Sequence, residues 1–119
     1  MIRPDQVRLR HMVEAARDAV SFIGGKTRAD LDSDRMRSLA LVRCIEVIGE
    51  AASRLSPEFQ QAHPEIPWPV IVATRNRLIH AYFDINLDIV WNTVVQDLPP
   101  LIETLEALIA AEPPYGDDL

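Results

Sequence analysis

Three side chains suited to acid–base and phosphate chemistry lie within eight residues of one another, at Arg75, His80 and Tyr82, in the pattern R-x-x-x-x-H-x-Y. A histidine titrates at about pH 6.5 and can therefore take up or release a proton at neutral pH. An arginine is always charged, and its planar fork fits a phosphate group. A phenol has a pKa of about 10, so Tyr82 is a poor base and is better suited to position a substrate or to accept a modification.

This combination suits the cleavage of RNA without a metal ion. His80 would remove the proton from a ribose 2′-hydroxyl, whose oxygen then attacks the adjacent 3′-phosphate. Arg75 would stabilise the charge that builds up around the phosphorus. The alternative is structural: the two residues would only tie the end of a helix to its surroundings, as cationic side chains near helix C-termini often do. The residues alone leave both interpretations open.

Other kinds of catalytic site lack the residues that they require. A zinc site needs several histidines or cysteines close together, whereas Cys44 is the only cysteine of the chain. Cys44 lies among apolar residues at helical spacing, which predicts a buried thiol. The sequence has no activated serine or cysteine nucleophile and no glycine-rich phosphate loop. We therefore expect neither a metal ion nor a cofactor.

The cluster lies near the end of a predicted third helix. This helix begins at the proline-containing segment 66–69 and ends at a turn over residues 83–86, so Arg75 and His80 fall on its last turns and the loop that follows. Helical spacing makes Asn76 and His80 neighbours, and Asn76 is therefore a candidate site-lining residue. The same spacing puts Arg75 on an apolar stripe, where a charge is expected to find a partner or to line a cleft.

A second predicted helix, at about residues 33–55, has a narrow polar stripe that contains Arg43, Glu46 and Glu50. The stripe is either a solvated face with ion pairs or the wall of a cleft, and Glu50 is a second candidate for lining the site. Gly49 in the middle of this helix costs about 1 kcal/mol relative to alanine. A glycine at this position would allow another helix to approach closely.

The apolar periodicity predicts four amphipathic helices, and no segment shows the alternation of a strand. The first helix covers about residues 4–24. The fourth covers about 87–110 and keeps the phase of its apolar stripe across Pro99-Pro100, which predicts a kink at that point. The expected fold is all-α, an antiparallel four-helix up-and-down bundle with the fourth helix kinked at Pro99-Pro100.

The composition is that of an ordinary globular protein. The chain has 119 residues, of which 48% are hydrophobic and 25% charged, and we expect a single helical bundle over residues 1–112 with a frayed acidic tail over residues 113–119. The net charge of −6 gives no general attraction to nucleic acid or anionic membranes, so any RNA contact must be local. Neither a signal-peptide core nor a membrane-spanning apolar run is visible, which predicts a cytoplasmic protein without membrane contact.

A cyclising cleavage needs both a base and an acid, whereas the cluster supplies one histidine, His80. A two-fold dimer would place two copies of Arg75 and His80 around one groove. The chemistry therefore predicts a homodimer with the third and fourth helices at or near the interface.

The cluster resembles the signature of the HEPN superfamily, in which an arginine is followed after four to six residues by a histidine. The form R-x-x-x-x-H-x-Y is similar to that of the HepT-like branch. Further segments resemble the branch in the expected order, at residues 48–52, 66–68, 89–91 and 97–99, so that the resemblance covers about residues 35–105. Residues 72–74 differ from the smaller Gly-Met type of lead-in that often precedes the arginine in the branch.

The resemblance implies an all-α bundle, usually dimeric, and a metal-independent ribonuclease toxin of a toxin–antitoxin pair, similar to those of type II or type VII. The antitoxin would be a small nucleotidyltransferase of the MNT type. Carried over by position, Arg75 and His80 would be catalytic, Asn76 would be a neighbour in the site, and Tyr82 would accept AMP from the antitoxin. An AMP group on Tyr82 would occlude the groove.

Two alternatives remain beside the ribonuclease. The chain could be a non-catalytic HEPN binding module that pairs with a small nucleotidyltransferase and helps to present its nucleotide, which agrees with the acidic net charge. It could also be a plain helical dimerisation domain. RNA cleavage separates the first possibility from these two.

Overall fold

Helices make up most of the computed structural model. The structure describes residues 1–81 and 84–112, but for residues 80 and 81 it describes only the backbone. The described helices are α1 (Arg3–Phe22), α2 (Asp30–Ser33), α3 (Arg35–Ser53), α4 (Pro57–Ala62), α5 (Trp68–Leu78), α6 (Leu87–Asn92) and α7 (Leu98–Ala110). A π-helical turn covers Thr93–Asp97, and two short strands, β1 (Ile79–Ala81) and β2 (Asp84–Ile85), pair antiparallel. The all-α bundle predicted from the sequence is confirmed.

The centre of the bundle is formed by α1 and α3, each of which has a continuous apolar stripe. Removing such side chains from water stabilises the fold by about 1.5–3 kcal/mol for each fully buried large residue. The carboxylate of Asp34 accepts a hydrogen bond of 3.0 Å from the backbone N–H of Arg37 and caps α3. The completely buried residues of the two helices are Leu9, Met12, Ala16, Ala19, Leu41 and Ala52.

A buried carboxylate joins the start of α1 to the start of α4. Asp5 is 1% exposed and accepts hydrogen bonds from the backbone N–H of Ser56, at 2.9 Å, and from its hydroxyl, at 2.6 Å. The hydroxyl oxygen of Ser56 in turn accepts the backbone N–H of Phe59 and caps α4. Both carboxylate oxygens of Asp5 are satisfied, so its burial is tolerated and the connector before α5 is fixed to the bundle.

The predicted fourth helix is a continuous helical run made of α6, the π turn and α7. Its irregularity lies at the π turn, directly before the prolines, where the N–H of Leu98 bonds to the carbonyl of Thr93, five residues back. Pro99 and Pro100 fall in the first turn of α7, where a helix needs no N–H partners and proline is tolerated.

The prediction that the chain has no strand is wrong at residues 79–81 and 84–85. Ile79 leaves α5 with extended backbone angles, φ −116° and ψ 108°, and pairs with Ile85 across the hairpin. The N–H of Asn86 donates to the carbonyl of Leu78 at 2.6 Å, which satisfies an acceptor left open at the end of α5. The β-branched isoleucines favour this extended pairing over another helical turn.

Further predictions concern the thiol, the membrane and the tail. Cys44 is 8% exposed, and desolvation raises the pKa of its thiol, in agreement with the predicted buried cysteine. In residues 1–81 and 84–112 no helix has both the length and the apolar character needed to cross a bilayer. The predicted frayed tail, residues 113–119, lies outside the described residues.

Candidate ribonuclease site

Arg75 lies on the last turn of α5, with its side chain 55% exposed. Its Nε lies 3.8 Å from the Oε1 of Glu46 on α3. The predicted apolar stripe is buried in part, because Trp68 is 4% exposed whereas Val72, one turn before Arg75, is 39% exposed. The expected partner is nevertheless present: Glu46 gives Arg75 a carboxylate from the neighbouring helix.

A small residue at position 49 lets α5 pass close to α3 and bring Arg75 to this position. A Cβ atom at Gly49 would lie 3.4 Å from the carbonyl oxygen of Ile71 and 3.6 Å from that of Val72. The backbones of α3 and α5 therefore meet directly, as the mid-helix glycine suggests from the sequence. Glu46 lies one turn before Gly49 on α3, and Arg75 lies one turn after Ile71 on α5. Because Gly49 lies next to Ile71 and Glu46 lies next to Arg75, the two helices run antiparallel and their charged residues meet beside the crossing.

Two arginines share the carboxylate of Glu46. The Nη1 of Arg43 lies 3.9 Å from the Oε2 of Glu46, and the Nε of Arg75 lies 3.8 Å from the Oε1. Two cations against one anion leave a local positive charge on a protein whose net charge is −6. Long, solvent-exposed ion pairs of this kind are weak, about 0–1 kcal/mol, so an incoming phosphate can compete with Glu46 for the guanidinium groups.

Helix α5 ends at Leu78, and His80, two residues later, belongs to strand β1. The prediction that Asn76 and His80 are neighbours on successive turns of one helix is therefore wrong. Asn76 is exposed on the last turn of α5, and the extended Ile79 separates that turn from His80. The described backbone thus puts Arg75 at a helix end and His80 in the hairpin that follows it. Tyr82 lies outside the described residues.

Glu50 is directed to another partner. Its carboxylate makes an ion pair of 2.8 Å with Arg54 on the same helix, and both side chains are exposed. Within the described residues, the acid that contacts Arg75 is Glu46, one turn closer to the start of α3. Sequence reasoning placed Glu46 in the polar stripe without selecting it as a site residue. No local signal in the sequence separates Glu46 from Glu50, because the choice depends on where α5 crosses α3.

Metal ligation does not account for this arrangement in the part of the chain that the structure describes. There, no three side chains of histidine, cysteine, aspartate or glutamate are grouped closely enough to hold a metal ion. The chemical groups at the described site are the guanidinium groups of Arg43 and Arg75 and the carboxylate of Glu46, which together favour an anionic ligand.

Comparison with known proteins identifies the family. The sequence profile of the ribonuclease HepT-like family matches residues 12–108, a span that contains α5, the hairpin and all of α3. The chain belongs to this family. The enzyme class predicted from the sequence, a ribonuclease, is the class for which this HepT-like family is named. Among solved structures, no significant match is found.

Individual relatives cover most of the HepT-like chain. A protein of Thermococcus cleftensis named "Probable ribonuclease HepT" is 36% identical over 100 residues, which are 81% of this chain and 91% of the relative. A proposed RNase of Caldanaerobacter subterraneus subsp. tengcongensis is 32% identical over 104 residues, 87% of this chain and 93% of the relative. A proposed RNase of Methanocaldococcus jannaschii is 34% identical over 101 residues, 85% of this chain and 84% of the relative.

Proposed function

We propose that this HepT-like chain is a metal-independent endoribonuclease in which Arg75 and His80 carry the reaction. The observation that supports this most is the state of Arg75: its guanidinium is half-exposed at the end of α5 and is held only loosely by Glu46. Because an exposed ion pair of this length is weak, Arg75 can exchange its carboxylate for a phosphate.

In the proposed reaction, the imidazole of His80 removes the proton of a ribose 2′-hydroxyl. The 2′-oxygen forms a new bond to the adjacent phosphorus, and the guanidinium of Arg75 stabilises the charge on the phosphoryl oxygens. The bond from phosphorus to the 5′-oxygen of the next nucleotide then breaks, and a protonated histidine donates the proton that the leaving oxygen needs. The products are a 2′,3′-cyclic phosphate and a 5′-hydroxyl end.

The proposal includes a homodimer, because one His80 cannot act as base and acid in the same step. The flank of α5 that bears Arg75 also bears the exposed Val72, so a second copy packed against this flank would bury apolar surface while bringing two Arg75 side chains to one groove. The dimer proposed here therefore has α5 at its interface, with Asn76 beside the shared groove.

The proposal also includes a toxin–antitoxin pair in which this chain is the toxin and cellular RNA in the cytoplasm is its substrate. The antitoxin would be a small nucleotidyltransferase that transfers AMP to the hydroxyl of Tyr82. The adenylyl phosphate would then compete for Arg75 as the substrate phosphate does. A mass gain of one adenylyl group after incubation with the antitoxin and ATP, lost in Tyr82→Phe, tests this part.

Cleavage of RNA in the presence of EDTA tests the proposed reaction. The wild-type chain is expected to release products with 2′,3′-cyclic phosphate ends, and His80→Ala should reduce the rate about 10²- to 10⁴-fold. His63→Ala is the matched control, because His63 lies beside Glu65 and next to Trp68, at the end of α5 opposite to the one that bears Arg75. Products with 5′-phosphate ends, or equal rates for His80→Ala and the wild type, would refute the proposed chemistry.

A second candidate function is a non-catalytic module that binds a nucleotidyltransferase, and the net charge of −6 favours it because an acidic surface repels RNA. It predicts a stable complex with the nucleotidyltransferase, no cleavage by the free chain, and no growth arrest when the chain is expressed alone. Growth arrest that the partner relieves would decide for the toxin.

A further inference from the structure

An open groove lies along the side of α5 that carries Val70, Ile71 and Thr74. It runs between α5 and the π turn with α7, and its floor is formed by Ile45 and Ile48 of α3. The groove has a volume of about 350 Å³, at the small end of the range of about 300–1,000 Å³ typical of ligand pockets. It has room for a few anchoring side chains and not for a whole secondary-structure element.

The walls of the groove are apolar and its rim is acidic. Val70 on the α5 side is 50% exposed although it is apolar, and Leu98 and Leu101 form the opposite wall. Glu65 and Asp97 stand at opposite sides of the rim, one before α5 and one at the end of the π turn. An apolar channel with carboxylates on both sides fits apolar side chains that are flanked by cations.

The backbone beside this rim lacks two hydrogen-bond donors, because Pro99 and Pro100 have no N–H. Gln96 and Asp97 of the π turn line the groove. The charge of the rim comes from Glu65 and Asp97, and these carboxylates favour a cationic occupant.

A second copy of the chain is a poorer occupant than a different protein. The exposed Val72 beside Arg75 on α5 belongs to the flank that the proposed dimer buries, which leaves the surface of α3 as the candidate. The exposed apolar residues with basic neighbours on α3 are Met36 and Leu39, beside Arg35 and Arg43. Ile45 faces the groove, and Met36 lies nine positions before it on α3, which is two and a half turns at about 3.6 residues per turn. Met36 therefore projects from the side of α3 that is opposite to the groove. A copy that docked through this surface would leave its own groove open and produce an unclosed chain of subunits.

RNA is also a poorer occupant, because the carboxylates of Glu65 and Asp97 would repel its phosphates. We propose that the groove between α5 and α7 is a docking site for a segment of a partner protein that carries apolar anchor side chains flanked by lysine or arginine. This inference does not depend on the proposed ribonuclease chemistry, since the groove residues named here are not part of the Arg75 site.

Two labelled helical peptides test the proposal by fluorescence anisotropy with the full chain. Both have leucine at every third or fourth position, and they differ only in flanking residues, which are lysine in one peptide and glutamate in the other. The lysine peptide should bind and the glutamate peptide should not. The double variant Glu65→Gln/Asp97→Asn should weaken binding by up to about tenfold at low salt.

Matched variants separate the groove from general charge and from other occupants. Glu14→Gln/Glu58→Gln removes the same charge from exposed positions outside the groove and should leave binding unchanged. Thr104→Trp should abolish binding by filling the groove, while circular dichroism and RNA cleavage stay as in the wild type.

Four results would overturn the proposal. These are no binding of the lysine peptide, equal binding of both peptides, displacement of the bound peptide by a short single-stranded RNA, and a change in the molecular mass of the assembly caused by Thr104→Trp. The third result would assign the groove to nucleic acid, and the fourth would assign it to a second copy of the chain.

Discussion

The α1–α3 pair and α5 are attached to the fold in different ways. Along the first pair, side chains from two long stripes interlock, and several of them are completely buried. The eleven residues of α5 bury only Trp68, Thr74 and Leu78, and the helix is seated largely by backbone contact with Gly49. The comparison indicates that interlocking apolar residues carry the stability, while α5 leaves its charged end exposed to ligands.

The largest expected effect on stability comes from the α1–α3 pair. Leu41 is completely buried, and Leu41→Ala should lower the free energy of unfolding by about 2–5 kcal/mol, because the lost contacts leave a cavity. Leu39→Ala is the control two residues away on the same helix. Leu39 is 43% exposed, and its loss should change the free energy by no more than about 0.5 kcal/mol. Urea denaturation measures both; equal losses would mean that α3 is not buried as described.

The contact between α3 and α5 should respond next. Gly49→Leu would place a branched side chain against the backbone of Ile71 and Val72 and should destabilise the fold by about 1–3 kcal/mol. Gly49→Ala should be neutral or stabilising by up to about 1 kcal/mol, because its Cβ meets Ile71 at an ordinary contact distance and alanine favours the helix. Equal stability of the two variants would show that α5 does not rest on this glycine.

The link between the hairpin and α6 should give a smaller effect. The side-chain oxygen of Asn86 accepts the backbone N–H of Ile89 at 3.1 Å and caps α6. Asn86→Ala should therefore cost about 1 kcal/mol in a thermal or urea unfolding experiment. Asn92→Ala, at an exposed position at the end of the same helix, is the control and should change stability by less than about 0.5 kcal/mol. A larger loss in the control would contradict the cap.

The smallest effect is a change of stability with pH at the start of α3. The hydrogen bond from the N–H of Arg37 lowers the pKa of Asp34 below its usual 3.8. The carboxylate is thus favoured in the folded state, and its contribution is present above pH 3.8 and lost as the pH falls through the lower folded value. Asp34→Asn keeps a capping side chain but cannot titrate, so its melting temperature should fall less than that of the wild type below pH 3.8. Identical acid profiles would exclude this contribution.

The parts of the molecule that could be predicted from the sequence are those whose secondary structure follows from a regular spacing of apolar residues along the chain. The apolar periodicity predicted the long helices α1 and α3. The hairpin after Leu78 could not be predicted in this way, because strands of three and two residues are too short to show an alternating pattern.

The residue types of the candidate site were proposed from the sequence and stay a prediction, whereas the contacts between them could not be predicted. The spacing of Arg75 and His80 indicated phosphate chemistry, and Gly49 indicated a close helix approach. The choice of Glu46 over Glu50 as the partner of Arg75 depends on where α5 crosses α3, which is a tertiary feature that no local pattern contains.

The rate of RNA cleavage in EDTA by Arg75→Ala and Arg77→Ala tests the central claim most directly. Both arginines are exposed on the last turn of α5, but within the described residues only Arg75 approaches Glu46. Arg75→Ala should reduce the rate about 10²- to 10³-fold, as expected when a group that stabilises the transition state is removed, with the unfolding free energy nearly unchanged. Arg77→Ala should retain a rate within about threefold of the wild type. Equal rates for the two variants would contradict the assignment of Arg75 to the reaction.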